Sequence, residues 1–312
     1  MGTNVKDILN VAVVNFAPVW GNKEMNLKRI LEYTEAAALK GAQIVVFPET
    51  CLTGYDPEPE DLPKEQRMHR RLAETIPGPS TEKVCELTEK YHIHVLFGMP
   101  ERDKNDSDTV YNAAAVCGPK GLIGSCRKIH LPFSEHLWAD AGQRPFLFDT
   151  PWGPVGVAIC YDFYCFPEIT RYFRAKGARL MINCTAICTL ETAGAGGALG
   201  NLCLQYLAVN NDAFIATSNL CGRDKTSWFM GGSCILGPSI SATGFHYYAG
   251  SRFLEPGADE SGIFTASIDL SDVRHSFLNS VWDGGIGCGD WRPDLYEEWL
   301  KDAKETDYWA KH

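Results

Sequence analysis

Short apolar runs rich in β-branched residues alternate along the chain with longer amphipathic stretches, the pattern of strands joined by helical crossovers. Period and composition predict strands over 8–16, 43–47, 94–100, 109–117, 122–128, 153–160, 180–184, 213–218, 232–236 and 263–268. They predict helices over 22–40, 80–91, 168–176, 200–210 and 270–277. In the first helix Met25, Ile30, Leu31, Ala36, Ala37 and Leu39 fall mostly on one face, and Gly41 closes the C-terminal end. The order is β-α-β at the start, strand-rich segments in the middle, and β-α-β again around Cys160. Two α/β layers placed back to back fit that order.

The glycine cluster at 194–200, GAGGALG, lacks the spacing of a phosphate cradle and has no following Lys-Ser/Thr, so it is read as a flexible loop. The stretch 56–64, rich in proline and acidic residues, reads as a surface loop inside one domain. No internal repeat interrupts the pattern. Residues 1–280 are therefore expected to form a single domain. Residues 281–312, rich in Trp, Gly and charge, are expected to form an arm that packs on the body or on a neighbouring subunit.

Composition narrows the partners. With 45% hydrophobic and 22% charged residues over 312 positions, the chain has material for a packed core. A formal net charge of -10 repels nucleic-acid backbones and anionic membrane surfaces, so neither is expected as a partner. The first residues, MGTNVKDILNVAVVNFAP, lack the basic flank, long apolar core and cleavage site of a secretory signal, and the expected location is cytoplasmic. In that setting the 12 cysteines are expected to be free thiols, mostly small core residues. With no CxxC pair, and no histidine near the CxxxC of Cys184 and Cys188, no structural metal is expected.

Three separated segments carry chemistry. Val45-Val46-Phe47-Pro48-Glu49 is an apolar strand delivering a carboxylate where it ends, either a loop or capping acid or a functional one. Arg127-Lys128 ends a second strand in two cations, which read alone are a surface pair. In the third, Val155-Gly156-Val157-Ala158-Ile159-Cys160 ends in a thiol at a bend toward a helix, where amide N–H groups stabilise negative charge.

Taken in order, VVFPETCLTGY, RKIHLPF and VGVAICYD followed by FPEITRYFRAKGA resemble the nitrilase (carbon-nitrogen hydrolase) superfamily over most of residues 10–245. Asn219-Leu220-Cys221-Gly222 and the segment 231–238 match later pieces of that pattern. The resemblance implies a four-layer αββα sandwich, two mixed sheets covered by helices. It implies a Glu-Lys-Cys triad at Glu49, Lys128 and Cys160, a second active-site carboxylate at Glu135, and Tyr55 beside the pocket. It also implies at least a homodimer, formed through the helices flanking the nucleophile strand. Two departures stand out: Cys160 to Glu168 spans eight positions where seven are usual, and Asn210 and Leu207 stand where Glu and Arg are usual.

The activity expected is thiol-dependent hydrolysis of a small linear amide or N-carbamoyl compound through a thioester, releasing ammonia and needing no cofactor. Alternatives are a nitrilase acting on organic nitriles, a catalytically silent ligand-binding member of the fold, and acyl transfer to an acceptor other than water. Tyr161, Trp138, Arg144 and Tyr164 are expected to join Tyr55 in lining the substrate pocket, with Arg144 a candidate partner for a substrate carboxylate. His130 is read as a structural or rim residue.

Overall fold

In the computed structural model, residues 7–189, 194–273 and 291–305 are described. The first half of the body runs Ile8–Asn15 (β1), Lys23–Leu39 (α1), Ile44–Val46 (β2), Met68–Leu72 (α2), Pro79–Tyr91 (α3), His94–Arg102 (β3), Val110–Gly118 (β4) and Gly121–Arg127 (β5). The second half begins with Phe146–Thr150 (β6), Gly153–Ile159 (β7), Tyr161–Cys165 (α4), Pro167–Ala175 (α5), Leu180–Thr185 (β8) and Cys188–Thr189 (β9). It continues with Gly194–Asn211 (α6), Phe214–Asn219 (β10), Cys221–Arg223 (β11), Trp228–Met230 (β12), Cys234–Pro238 (β13) and Phe245–Gly250 (β14). Gly262–Asp269 (β15) returns to the first sheet. A helix at Pro293–Glu305 (α7) belongs to a separate unit that starts at Arg274.

The strands form two six-stranded mixed sheets, ordered β15-β1-β2-β3-β4-β5 and β14-β13-β10-β8-β7-β6. The two repeat one plan: three parallel strands, β1-β2-β3 or β7-β8-β10, flanked on both sides by antiparallel neighbours. A small third sheet, β11-β12-β9, lies beyond the second.

Alternation along the strands makes the layers. Leu9, Val11, Val13, Ile44 and Val46 point from the first sheet into one apolar cluster with Val155, Val157, Ile159, Leu180 and Ile182 of the second. The intervening residues Ala12, Val14 and Val45 face away and pack with Leu27, Ile30 and Ala37 of α1 and Val84 of α3. On the far side Ala158, Met181 and Ile215 pack with Phe163, Ile169, Phe173 and Leu204 of α4, α5 and α6. The result is the expected αββα sandwich.

Three local expectations need correction. Residues 194–200 are the first turns of α6 and not a loop: Gly197 and Gly200 are buried, and a Cβ on them would come within 2.9 Å of Leu254 Cγ and Phe253 Cε2. Gly197 and Gly200 serve close packing of the helix. The buried face of α1 carries Asn26, Leu27, Ile30, Thr34 and Ala37, while Met25 and Leu39 are exposed, because Asn26 turns inward to bond the carbonyls of Val19 and Leu52. The helix expected over 270–277 is a single 3-10 turn at Leu270–Asp272 as far as Val273, and the remainder lies outside the described residues.

Candidate active site

Glu49 follows β2 after two residues that hug β3: Phe47 N–H donates to Leu96 O at 2.8 Å and Gly98 N–H to Pro48 O at 3.0 Å. Gly98 permits that approach, since a Cβ there would stand 2.3 Å from Thr50 N. Thr50, next to Glu49, adopts φ +46 and Cys160 adopts φ +47, ψ -102. Non-glycine residues rarely hold such angles, and here they occur at two of the three strand ends that supply reactive groups.

Lys128 stands just past β5, its side chain turned inward and fully buried. Its Nζ donates to Glu49 Oε1 at 2.7 Å and to Glu135 Oε1 at 2.6 Å. Asn112, on β4, joins the same two acids, its Nδ2 donating to Glu49 Oε1 at 2.8 Å and Glu135 Oε2 at 3.0 Å. Tyr55 OH donates to Glu135 Oε1 at 2.7 Å. Glu135 is thereby tied on both oxygens, while Glu49 Oε2 is buried without a hydrogen-bond partner in the structure.

Tyr55 is held from outside the two large sheets. Asp224, in the turn between β11 and β12, accepts from the N–H groups of Tyr55 (2.7 Å) and Asp56 (2.9 Å). Asp56 returns the bond, accepting from Ser227 N–H at 2.8 Å and from Thr226 N–H. The ring of Tyr55 packs edge-on against Phe229 of β12. Part of the expected surface loop is thus anchored: Asp56 is fully buried.

Cys160 sits where β7 bends into α4. Its N–H is spent on Cys184 O (2.9 Å) and Asn183 Oδ1 (3.0 Å), and Asn183 Nδ2 donates in turn to Thr217 Oγ1 at 3.1 Å. The Cys160 carbonyl accepts from Phe163 and Tyr164, starting the helical turn. The first amides of a helix, beginning with that of Tyr161, have no acceptor within it and can serve a developing anion.

The electrostatics follow from burial. Two carboxyl groups and one ammonium share this interior, so one proton on a carboxyl makes the cluster neutral. Glu49 is pushed up to about 7 by burial against the pull of Lys128, with the Glu135 charge adding to the rise. Burial alone would lower Lys128, but Glu49 and Glu135 outweigh it and hold the ammonium protonated well above its ordinary range. Burial and the Glu49 charge raise the Cys160 thiol, with Lys128, the Ala186 N–H and the Thr185 hydroxyl pulling the other way.

The structure brings Glu49 and Glu135 onto the Lys128 ammonium and places the Cys160 sulfur within electrostatic reach of Glu49 and Lys128. Tyr161 is half-buried, edge-on to Phe166. Tyr164 has a buried hydroxyl, which burial and the Cys160 sulfur push up from its ordinary range. The other two expected lining residues have different surroundings. Trp138 is buried with its ring stacked on His69 at 4.3 Å. Arg144 is exposed in a separate cleft lined by Tyr111, Arg127 and Phe146, because Arg127 points to the opposite face of the chain from Lys128 and bonds Glu101 at 2.6 Å. His130 is partly exposed and pairs with Asp162 at 2.7 Å. In place of an ion pair at the second departure, Arg171 of α5 hydrogen-bonds Asn210 of α6.

Asn112, Asn183 and Asp162 were missed by the sequence reading. The available signal was a polar side chain inside an apolar strand, Tyr-Asn-Ala-Ala-Ala in β4 and Met-Ile-Asn-Cys in β8, since a buried amide needs partners and so marks a network. All eleven described cysteines are free. Among the described residues no group of three or more His, Cys, Asp and Glu could hold a metal ion, and no helix is long and apolar enough to cross a membrane.

A family model described as carbon-nitrogen hydrolase matches residues 10–276. The chain is 32% identical over 260 residues to the omega-amidase NIT2 of Xenopus tropicalis, covering 80% of this chain and 84% of that protein. It is 28% identical over 285 residues to a protein named nitrilase from Pyrococcus abyssi, covering 88% and 95%. Among solved structures, a mutant of the Nesterenkonia AN1 amidase from the nitrilase superfamily superposes with TM-score 0.71 at 20% identity, over 96% of this chain and 99% of that one.

Proposed function

The chain belongs to the carbon-nitrogen hydrolase family, and from that premise we propose that it is a cysteine amidase: it hydrolyses a small linear amide through a thioester on Cys160. The observation that carries this reading is the unpartnered Oε2 of Glu49, on a carboxyl poised near neutrality beside a thiol.

An amide needs an activated nucleophile, a stabilised oxyanion and a proton for its nitrogen. Glu49 Oε2 takes the proton of the Cys160 thiol as the sulfur attacks the carbonyl carbon. Lys128 has three N–H donors and spends two on Glu49 and Glu135, which leaves the third, with the Tyr161 amide, for the oxyanion. The C–N bond breaks as Glu49 returns its proton to the leaving nitrogen, and ammonia departs. Water then gives a proton to Glu49 and attacks the thioester, and as the C–S bond breaks Glu49 returns that proton to the sulfur, releasing the acid and restoring the thiol. Glu135 holds Lys128 in place. No step calls for a cofactor.

The relatives named omega-amidase favour an amide over a nitrile. Ammonia release from a panel of linear amides, N-carbamoyl compounds and nitriles, with Cys160→Ala as control, tests the choice. Release from amides that the alanine variant lacks is expected, and release from nitriles alone contradicts it. The protein is further proposed to pair through α5 and α6, where Tyr172, Leu199, Leu202, Tyr206 and Val209 are exposed. Light scattering that finds a dimer or higher assembly supports this, and a monomer at micromolar concentration refutes it.

A further inference from the structure

Lys128 and Cys160 come from different sheets, and the fold must hold them at a fixed separation for one oxyanion to reach both the Lys128 ammonium and the Tyr161 amide. The backbone of Lys128 is secured on its own side by Lys128 N–H to Asn112 O (2.8 Å) and by Gly142 N–H to Lys128 O (2.7 Å). The tie to the other side is Asp162, two positions after Cys160 and 2% exposed. Its Oδ2 accepts from Ile129 N–H at 2.7 Å, and its Oδ1 accepts from His130 N–H at 2.9 Å. Oδ1 also pairs with His130 Nδ1 at 2.7 Å, and the His130 ring lies flat on Phe166, its centroid 3.4 Å away. Both amides belong to the residues directly after Lys128. Hydrogen bonds from backbone N–H to a buried carboxylate are short, strong and directional, which suits them to fixing one loop against another.

We propose that Asp162 is a positioning residue: it locks the segment after Lys128 onto the nucleophile bend and so sets the distance between the lysine ammonium and the Cys160 sulfur. The inference rests on the proposed role of Cys160. Asparagine at this position keeps the shape but offers one acceptor oxygen, and turns an NH2 group toward one of the two N–H donors. A displacement of about 1 Å at a reacting centre costs about 100-fold in rate, so Asp162→Asn is expected to lower kcat about 10- to 100-fold with KM changed less than about threefold.

A second reading separates positioning from charge. Alkylation of Cys160 by iodoacetamide, located by peptide mass, is followed against pH. Removing a negative charge near the thiol would by itself move the midpoint down, whereas loosening Lys128 moves it up. An upward midpoint together with the fall in kcat supports the proposal. A kcat within threefold of wild type, or a fall in kcat with the midpoint unmoved or lowered, overturns it. Should the variant not fold, hydrogen exchange of the wild-type protein decides: strongly protected Ile129 and His130 amides are expected, and amides exchanging at unprotected rates overturn the clamp. Wild-type Cys160 alkylating no faster than the other thiols would instead bring down the nucleophile assignment on which the clamp rests.

Discussion

Lys128 and Glu49 stand 79 positions apart in the chain, yet the lysine Nζ lies 2.7 Å from Glu49 Oε1 and neither side chain is exposed. Burying two such charges costs several kcal/mol per ion unless partners surround them. Here Asn112 donates to Glu49, Glu135 accepts from Lys128, and Tyr55 in turn donates to Glu135. Glu49 Oε2, the atom assigned to proton transfer, is left without a partner, as is Asn112 Oδ1.

That assignment fixes a pH dependence. Glu49 must be ionised to take the thiol proton, and burial has pushed it up to about 7. kcat/KM measured from pH 5 to 9 is expected to rise through about 7. Glu49→Gln is expected to lower kcat about 10²- to 10⁴-fold, the range of general acid-base catalysis. An activity already flat at pH 5 contradicts the role.

The same shift bears on stability, with a definite sign. Because the folded value of Glu49 lies above its ordinary 4.5, the protonated form favours the fold; that contribution is complete below about 4.5 and is lost as pH rises through about 7. Glu49→Gln stays neutral throughout. Its stability relative to wild type should therefore increase between pH 5 and pH 8, by on the order of 1–3 kcal/mol in denaturant titrations. A difference independent of pH would show that the buried carboxyl carries no such cost.

Asn112 and Tyr55 bind the acids with different consequences. Asn112→Ala removes a buried donor to both Glu49 and Glu135, and is expected to cost about 1–3 kcal/mol in stability besides most of the activity. Tyr55→Phe removes one donor to Glu135 and keeps the ring against Phe229, so thermal stability should fall by less than for Asn112→Ala while kcat drops about tenfold. Melting curves and initial rates on both variants compare the two.

Arg144 provides a negative control. Its exposed place in the cleft with Tyr111, Arg127 and Phe146 predicts that Arg144→Ala leaves kcat/KM within about twofold, the scale of surface substitutions. A large rise in KM would restore it as a substrate anchor.

Two α/β layers were legible because the central strands are apolar on both faces, as Val11 to Val14 of β1 and Ile44 to Val46 of β2 show, while the αββα arrangement itself was implied by the family resemblance. The edge strand β14 escaped notice: Phe245, Tyr247 and Tyr248 are only partly buried, and the stretch has neither an apolar run nor strict alternation. The glycine-rich start of α6 misled because helix propensity counts glycine as a breaker, whereas here contact with Leu254 and Phe253 leaves no room for a side chain. Within the site, Glu49, Lys128 and Cys160 lie in three motifs, and their roles, with that of Glu135 after the second motif, were implied by the family resemblance. The groups that join them, Asn112, Asn183 and Asp162, act through contacts between distant strands, which one-dimensional spacing does not encode.

The central claim is that the Cys160 sulfur carries the acyl group between two chemical steps. Rapid-quench intact-mass analysis during turnover of a linear amide, followed by peptide mapping, tests it most directly. An adduct with the mass of the substrate less ammonia, located on Cys160 and absent from Cys160→Ala, is the predicted result. Ammonia release that persists in Cys160→Ala, or an adduct on another residue, would contradict it.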